Sequence, residues 1–139
     1  MNVGELMNEE ITTCSPDETL SQVAQKMDSG DFGCCPVVDN DRLIGVITDR
    51  DIAVRAVAKG FDPNSKLVRD MMTINVIAAT PLMSAEDACE LMADNQIRRL
   101  PVLEGDRLVG IISMADLAID LGEEEMVAET LEKISMPAR

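Results

Sequence analysis

Hydrophobic and polar positions follow one order along this chain, and that order occurs twice. A short apolar stretch precedes an extended segment, a helical stripe, two strands around a polar turn and a second helix. The second copy follows the first at a constant offset of 65 residues, as from Gly45 to Gly110 or from Pro16 to Pro81. This constancy predicts one structural unit used twice, because an insertion in either copy would break the register.

Helical spacing predicts an amphipathic helix in each copy. Thr19 can cap the first helix, with Gln22 completing a capping box, and Ser84 is the corresponding cap in the second copy. Apolar residues then recur at i, i+3, i+4 and i+7, the period of a buried helical stripe. The predicted stripes are Leu20, Val23, Ala24 and Met27 in the first copy, and Ala85, Ala88, Cys89 and Met92 in the second.

Two strands around a polar turn predict a hairpin in each copy, and a helix follows each hairpin directly. The last helix is predicted in the tail, where the sequence does not decide between packing on the body and packing on a second subunit. The strands are Cys34 to Val38 with Leu43 to Thr48, and Leu100 to Leu103 with Leu108 to Ser113. The helices are Asp49 to Lys59 before Gly60, Met114 to Leu121 before Gly122, and Glu123 to Met136, with Val127, Leu131 and Ile134 on one face.

The pattern divides the chain into a first repeat at 1–60, a linker at 61–67, a second repeat at 68–122 and a helical tail at 123–139. A length of 139 residues suits one compact domain or two half-domains that share a core. No apolar run approaches the ~20 residues of a membrane span, and no basic leader begins the chain. We therefore expect a cytoplasmic protein with no membrane partner.

Composition narrows the classes of function. The net charge of −14 disfavours a nucleic-acid partner, because phosphate backbones require clustered Lys and Arg. The chain has no His, and its four Cys show no Cys-x-x-Cys spacing, so we expect no metal site. Adjacent Cys34 and Cys35 are interpreted as reduced strand residues, with a thiol redox sensor as the alternative. No nucleophile has a neighbouring base in sequence, so we expect no catalytic residues and no enzyme.

A polar motif recurs where the second strand of each copy meets the following helix. The spacing resembles a capping box, and for either copy alone this structural interpretation is favoured. The functional interpretation uses the same geometry, since helix N-termini bind anions and a nearby aspartate can accept hydrogen bonds from a ribose diol. Glycine in the motif would let a ligand or backbone approach the strand closely. The motifs are Gly45-x-x-Thr48-x-x-Asp51 and Gly110-x-x-Ser113-x-x-Asp116.

Arginines distinguish the two copies. Arg50 could add phosphate-binding charge in the first copy, whereas the second has Ala115 at that position. Arg98 and Arg99 precede the second hairpin and form a candidate phosphate clamp, with a pair of exposed charges as the alternative interpretation. The two sites are therefore predicted to bind differently.

The doubled motif, preceded by Pro36-Val37 or Pro101-Val102 and a polar turn, resembles the cystathionine-β-synthase (CBS) domain family. Two such copies in tandem form a Bateman module. The resemblance covers Val3 to about Leu121, and Thr48-Asp49-Arg50-Asp51 is similar to small stand-alone proteins of the hypoxic response protein type. It implies an α/β (α+β) fold of two βαββα repeats packed by pseudo-twofold symmetry, to which the C-terminal helix is added. It also implies a homodimer.

The resemblance further implies that two clefts between the repeats bind adenosine-containing ligands: AMP, ADP, ATP, NAD or S-adenosylmethionine. In the family pattern the hydroxyl residues contact phosphate or ribose and the aspartates contact the ribose hydroxyls. Met114-Ala115 replaces Asp49-Arg50 in the second copy, which disfavours a polyphosphate there. The predicted ligand-binding residues are Thr13, Val37, Thr48, Arg50, Asp51, Ala78, Arg98, Arg99, Val102, Ser113 and Asp116.

These features predict a stand-alone sensor in which an adenine nucleotide is a regulatory ligand and no cofactor is catalytic. Its output would go to a separate effector protein that the sequence does not identify, because no catalytic or transport domain is attached. The alternative is a constitutive dimeric adaptor whose nucleotide sites are vestigial.

Overall fold

The structure is a computed structural model that describes residues 1–121 and 124–137. Helices lie before and after two pairs of consecutive strands, which confirms the α/β (α+β) class. The predicted helix end at Gly122 and the start of the tail at Glu123 lie outside the described residues. The elements in chain order are α1 (Val3–Leu6), α2 (Leu20–Gly30), β1 (Cys34–Asp39), β2 (Arg42–Thr48), a π-helix (Asp51–Ala56), a 3₁₀ turn (Val57–Lys59), α3 (Val68–Met71), α4 (Ala85–Asn95), β3 (Arg99–Glu104), β4 (Arg107–Ser113), α5 (Met114–Leu121) and α6 (Glu124–Ser135).

Two compact units make up the fold, and each contains one hairpin. One unit is Thr12–Val76, and the other combines Met1–Ile11 with Ile77–Arg139. We call them the first unit and the second unit. In the first unit β1 pairs with β2, and in the second β3 pairs with β4, both antiparallel and both with a register shift at the same repeat position. The two predicted hairpins are therefore confirmed.

Local capping signals begin the long helices where the sequence predicts. The Thr19 side chain accepts from the backbone N–H of Gln22, and the Gln22 side chain accepts from that of Thr19. The Ser84 side chain accepts from the N–H of Asp87 in the same way. Each bond satisfies an N–H group that the first helical turn leaves without a partner.

The residues of the two helical stripes differ in how far they are buried. The second stripe is buried in full, including Cys89, whereas Ala24 at the corresponding position of α2 is exposed. The prediction that Ala24 is a core residue was therefore wrong. The reason is tertiary: α6 packs against α4, and the first repeat has no counterpart of α6 in its sequence.

Each unit completes its core with a short segment taken from the other sequence repeat. We call residues 3–8 the N-terminal arm and residues 68–73 the central arm. In the second unit, the N–H of Asn8 donates to Ile111 O at 2.8 Å and that of Ile111 donates to Asn8 O at 2.9 Å. In the first unit, Thr73 and Val46 exchange the equivalent bonds at 2.9 and 3.0 Å. The sequence repeat and the compact unit are therefore different divisions of the chain.

The motif glycines make room for these arms. A Cβ atom at Gly45 would lie 2.8 Å from the sulfur of Met72 and 2.8 Å from the carbonyl oxygen of Thr73. A Cβ atom at Gly110 would collide with the side chain of Met7. From the sequence, these glycines could admit either a ligand or another part of the backbone. The structure shows that they admit the two arms of the chain itself.

A helix follows each hairpin as predicted, but the two helices differ in type. The second unit has α5, whereas the first has the π-helix followed by the 3₁₀ turn. On the π-helix, Arg55 Nη1 donates to Met71 O at 2.9 Å and lies 3.6 Å from Asp51 Oδ1. The wider turn thus carries an arginine that contacts both the motif aspartate and the central arm. π-helical turns are rare and are found frequently at functional sites.

The tail helix α6 packs on α4 and α5 of its own unit. Val127 is buried, and Thr130 is buried with its hydroxyl donating to Met126 O at 2.8 Å. Leu131, on the same predicted face, is 37% exposed, so α4 and α5 cover this face only in part. In the described part of the chain, no helix has the length and apolar character needed to span a membrane.

The docking of α6 can be tested at Val127. Val127→Ala should lower the free energy of unfolding by about 2 kcal/mol, because two buried methyl groups are lost and a small cavity remains. Leu131→Ala, at the more exposed position of the same helix, should lower it by less, about 1 kcal/mol. Urea unfolding followed by circular dichroism measures both values. Equal effects of the two substitutions would contradict the packing described here.

Candidate functional site

The motif of the first unit lies where β2 meets the π-helix. The backbone N–H of Thr48 donates to Asp51 Oδ2 at 2.9 Å, and the N–H of Asp51 donates to Thr48 Oγ1 at 3.0 Å. Both residues are half-buried. The capping-box interpretation is therefore confirmed for this copy, and the two side chains are held in one arrangement without a ligand.

The second unit repeats this geometry with one difference. Ser113 and Asp116 exchange the same pair of bonds at 3.1 and 3.2 Å, and the Ser113 hydroxyl also donates to Asp116 Oδ2 at 2.9 Å. In the first unit the corresponding donation from Thr48 to Asp51 is not among the bonds of the described residues. The Thr48 hydroxyl proton is thus available to a ligand, whereas that of Ser113 is already engaged.

The predicted arginines lie at the same ends of the hairpins as the motifs. Arg99 begins β3 and is the register partner of Ser113, while Arg98 O accepts from the N–H of Met114 at 2.9 Å. Both arginine side chains are exposed. Arg50 is also exposed and directly precedes the π-helix. The structure therefore places basic side chains beside both motifs, on β3 in the second unit and on the helix in the first.

The residues predicted to line an adenine pocket fall into two groups. Val37 and Val102 have no exposed surface, and their side chains belong to the hydrophobic cores of the two units. Thr13 and Ala78 are half-buried, and each precedes a residue that forms a parallel bridge to one of these valines. In this conformation, only the half-buried pair presents side-chain surface to a ligand.

Two polar residues next to Thr13 were not predicted. Lys26 Nζ donates to Thr13 O at 2.9 Å and forms a salt bridge with Glu18 at 2.8 Å. The corresponding positions in the second copy are Leu91 and Met83. The sequence could have indicated Lys26 and Glu18, because each is charged where the other copy of the repeat has an apolar residue.

The structure does not bring together the thiols of Cys34 and Cys35, the pair considered from the sequence. Cys34 and Cys35 are adjacent on β1, and adjacent residues of a strand point to opposite faces. Cys35 instead lies beside Cys14, since the thiols of both residues donate to Pro36 O, at 3.8 and 3.6 Å. Within the described residues, no group of three or more His, Cys, Asp or Glu side chains is arranged to hold a metal ion.

A family model for the CBS domain matches residues 3–57 and, separately, residues 68–123. This chain belongs to the CBS domain family. The two matches contain one Thr/Ser-x-x-Asp motif each, so the chain is a tandem CBS pair. The resemblance inferred from the doubled motif is confirmed.

Relatives of similar length support this assignment. The CBS domain-containing protein YhcV of Bacillus subtilis is 39% identical over 134 residues, covering 96% of this chain and 95% of that protein. Hypoxic response protein 1 of Mycobacterium tuberculosis is 36% identical over 124 residues, covering 88% and 87%. A crystal structure of Hypoxic Response Protein I with two coordinated zinc ions matches with a TM-score of 0.80 at 35% identity, over 86% of this chain and 98% of that chain.

A further structural relative was solved with nucleoside ligands. The CBS domain pair of protein MJ0100, in complex with 5′-methylthioadenosine and S-adenosyl-L-methionine, matches with a TM-score of 0.76. The match has 26% sequence identity and covers 89% of this chain and 98% of that chain.

The structural role of the motif aspartate can be measured separately from any ligand. Asp51→Ala should lower the free energy of unfolding by about 1 kcal/mol, because the Thr48 N–H loses its acceptor. Asp51→Asn should retain most of the stability, since its amide oxygen can still accept that bond. Asp28→Ala, which removes an exposed carboxylate from α2, should stay within about 0.5 kcal/mol of the parent in urea unfolding. A loss no larger for Asp51→Ala than for Asp28→Ala would contradict the capping role.

Proposed function

We propose that this CBS pair is a regulatory, non-catalytic module that binds adenosine-containing ligands at its two motifs. The observation that carries the proposal is the preservation of one hydrogen-bonded motif geometry in both copies. The complex of the MJ0100 CBS pair with two adenosine derivatives supports the choice of ligand class. An adenine nucleotide would thus act as a regulatory ligand rather than as a catalytic cofactor.

Capping and ligand binding are compatible in this geometry. Asp51 uses Oδ2 to accept from the Thr48 N–H, and a carboxylate has about four lone-pair positions in all. Two ribose hydroxyls can therefore donate to Asp51 or Asp116 while the cap remains intact. The cap holds each carboxylate in place before the ligand arrives, which reduces the entropy lost on binding.

The two sites should prefer different ligands. The first unit offers the Thr48 hydroxyl as a donor and Arg50 at the start of the helix. The second offers Arg98 and Arg99 beside a serine whose hydroxyl already donates to Asp116. Arginine pairs suit phosphate groups because each guanidinium can donate two parallel hydrogen bonds. We therefore assign a ligand with a single phosphate, such as AMP, to the second site, and we expect both sites to bind the nucleoside part.

Regulation requires that the ligand bind two states of the protein with different affinities. We propose that a separate effector protein responds to this difference. A constitutive adaptor is the competing function, because the capping boxes of both copies have a structural role that needs no ligand. Binding measurements on the motif variants separate the two.

Isothermal titration calorimetry with AMP, ATP, NAD and S-adenosylmethionine tests the ligand class. We expect at least one of them to bind at two sites of unequal affinity. Asp51→Asn and Asp116→Asn should each weaken a different site by about 10- to 100-fold, as expected when a hydrogen bond to a charged group worth about 1.5–3 kcal/mol is lost. GMP and GTP serve as base-specificity controls. The absence of binding heat with every adenosine ligand at millimolar concentration would favour the adaptor.

The arginine pair can be tested by comparing ligands that differ in phosphate. Replacing both Arg98 and Arg99 with Ala should reduce affinity for AMP at the second site by about tenfold or more, with little effect on 5′-methylthioadenosine. Arg107→Ala removes one arginine from the opposite end of the hairpin and should leave both affinities unchanged. Equal losses for the two ligands would assign Arg98 and Arg99 a structural role instead.

A further inference from the structure

Cys14 and Cys35 form a buried thiol pair in the first unit. The N–H of Cys14 donates to Pro36 O at 3.0 Å and the N–H of Val38 donates to Cys14 O at 2.9 Å, so Cys14 lies against β1. Cys35 is on the same strand, two residues before the bridge partner Val37, and therefore points to the same face. The two thiols share one acceptor, because both sulfurs lie within hydrogen-bond distance of Pro36 O, at 3.6 Å for Cys14 and 3.8 Å for Cys35.

The surroundings give the two thiols different acidities. A hydrogen bond that the Cys14 thiol can donate to the Cys35 thiolate lowers the pKa of Cys35, and the ammonium group of Lys26 adds to this effect, against burial and Glu18. The same hydrogen bond, together with burial, raises the pKa of Cys14. Cys35 is therefore the first to become a thiolate, the reactive form of cysteine, with the Cys14 thiol as its neighbour.

The fold does not require these thiols. In the second unit the corresponding residues are Ala79 and Leu100, and Ala79 forms the same backbone bonds to β3, at 2.9 Å to Pro101 O and 2.9 Å from the Leu103 N–H. The parallel bridge thus forms equally well without sulfur. Two cysteines at one such bridge and none at its counterpart indicate a role beyond packing.

Peroxide can reach the pair only if the segment that ends at Cys14 opens locally. Both side chains are at most 3% exposed. Cys14, however, follows a coil in which Glu9, Glu10 and Thr12 are exposed, and two backbone hydrogen bonds connect it to β1. Segments with few buried contacts open at a small fraction of the global unfolding free energy.

We propose that Cys14 and Cys35 are a modification site at which hydrogen peroxide forms a disulfide, and that this disulfide regulates the ligand site of the first unit. The Cys35 thiolate attacks one peroxide oxygen, the O–O bond breaks, and the leaving hydroxide takes a proton to become water. Cys14 then attacks the resulting sulfenic acid, the S–O bond breaks, and a second water leaves. Two thiols are oxidised to one disulfide, and one peroxide is reduced to two waters.

The disulfide would change the segment that carries Thr13. A disulfide bond is about 2.0 Å long, much shorter than the contact distance of two unbonded sulfurs, so Cys14 and Cys35 must move toward each other. Thr13 precedes Cys14, and its carbonyl is held by Lys26 at 2.9 Å. This regulatory step rests on the proposed function. Oxidation should weaken ligand binding at the first site by about tenfold, within the usual range of couplings between two sites, and should leave the second site unchanged.

Peptide mapping under non-reducing conditions tests the disulfide by itself. Peroxide treatment of the purified protein should lower the intact mass by two hydrogen atoms, yield a Cys14–Cys35 cross-linked peptide, and be reversed by dithiothreitol. Cys14→Ala introduces the residue found at the corresponding position of the second unit, so the variant should fold. This variant should form no cross-link. Its Cys35 should instead be left as a sulfenic acid, which dimedone traps. Cys34→Ser should retain the cross-link. A cross-link through Cys34, or oxygen addition without any cross-link, would overturn the proposed site.

Calorimetry on the oxidised and reduced Asp116→Asn protein, in which the second site is weakened, tests the regulatory step. A cross-linked protein that binds as tightly as the reduced one would overturn the regulation and leave the modification site standing. Failure of the reduced protein to bind any adenosine ligand would instead refute the proposed function. Failure to cross-link, with ligand binding intact, would refute only this inference.

Discussion

The two arms determine how the rest of each unit is built. An isolated four-residue helix is not stable in water, so α1 and α3 form only because their apolar residues are buried in the two cores. Each arm then exchanges two backbone hydrogen bonds with a strand, at Ile111 in one unit and Val46 in the other. Val46 is two residues before Thr48, so the contact that completes the core also fixes the strand end that carries the motif.

The motifs combine a structural and a proposed binding role in the same atoms. The reciprocal bonds between Thr48 and Asp51 terminate the strand and begin the next helix. Because these bonds hold the carboxylate and the hydroxyl without a ligand, substitutions at the motif affect stability as well as affinity. Asparagine at the aspartate positions is therefore the informative replacement, since it keeps an acceptor for the cap and removes the charge.

Departures from the repeat are concentrated around the first site. Cys14, Glu18 and Lys26 all lie within one small region of the first unit, and their counterparts in the second copy are apolar. Arg55 adds a contact to Asp51, where the second copy has an aspartate in the corresponding position. A duplicated fold needs only one set of packing residues, so the positions that differ are where separate functions can develop.

Interactions between residues near in sequence could be predicted from the chain alone. The capping bonds of Thr19, Ser84 and the two motifs each join residues three positions apart, and the hairpins depend on turns of a few residues. The constant offset likewise determined that the fold is a repeat. The motif geometry is described by the structure, whereas the ligand-binding role of the predicted residues remains a prediction.

Other features depended on contacts between distant residues. The repeat pattern is the same for both copies, so it does not show which strand each arm joins. Ala24 and Leu131 have helical spacing typical of core positions, but burial depends on whether another helix covers them. The pairing of Cys14 with Cys35 has no local spacing signal, because a parallel bridge between separate segments brings the two together. Periodicity shows which face of an element is apolar, and only the tertiary structure decides which element that face meets.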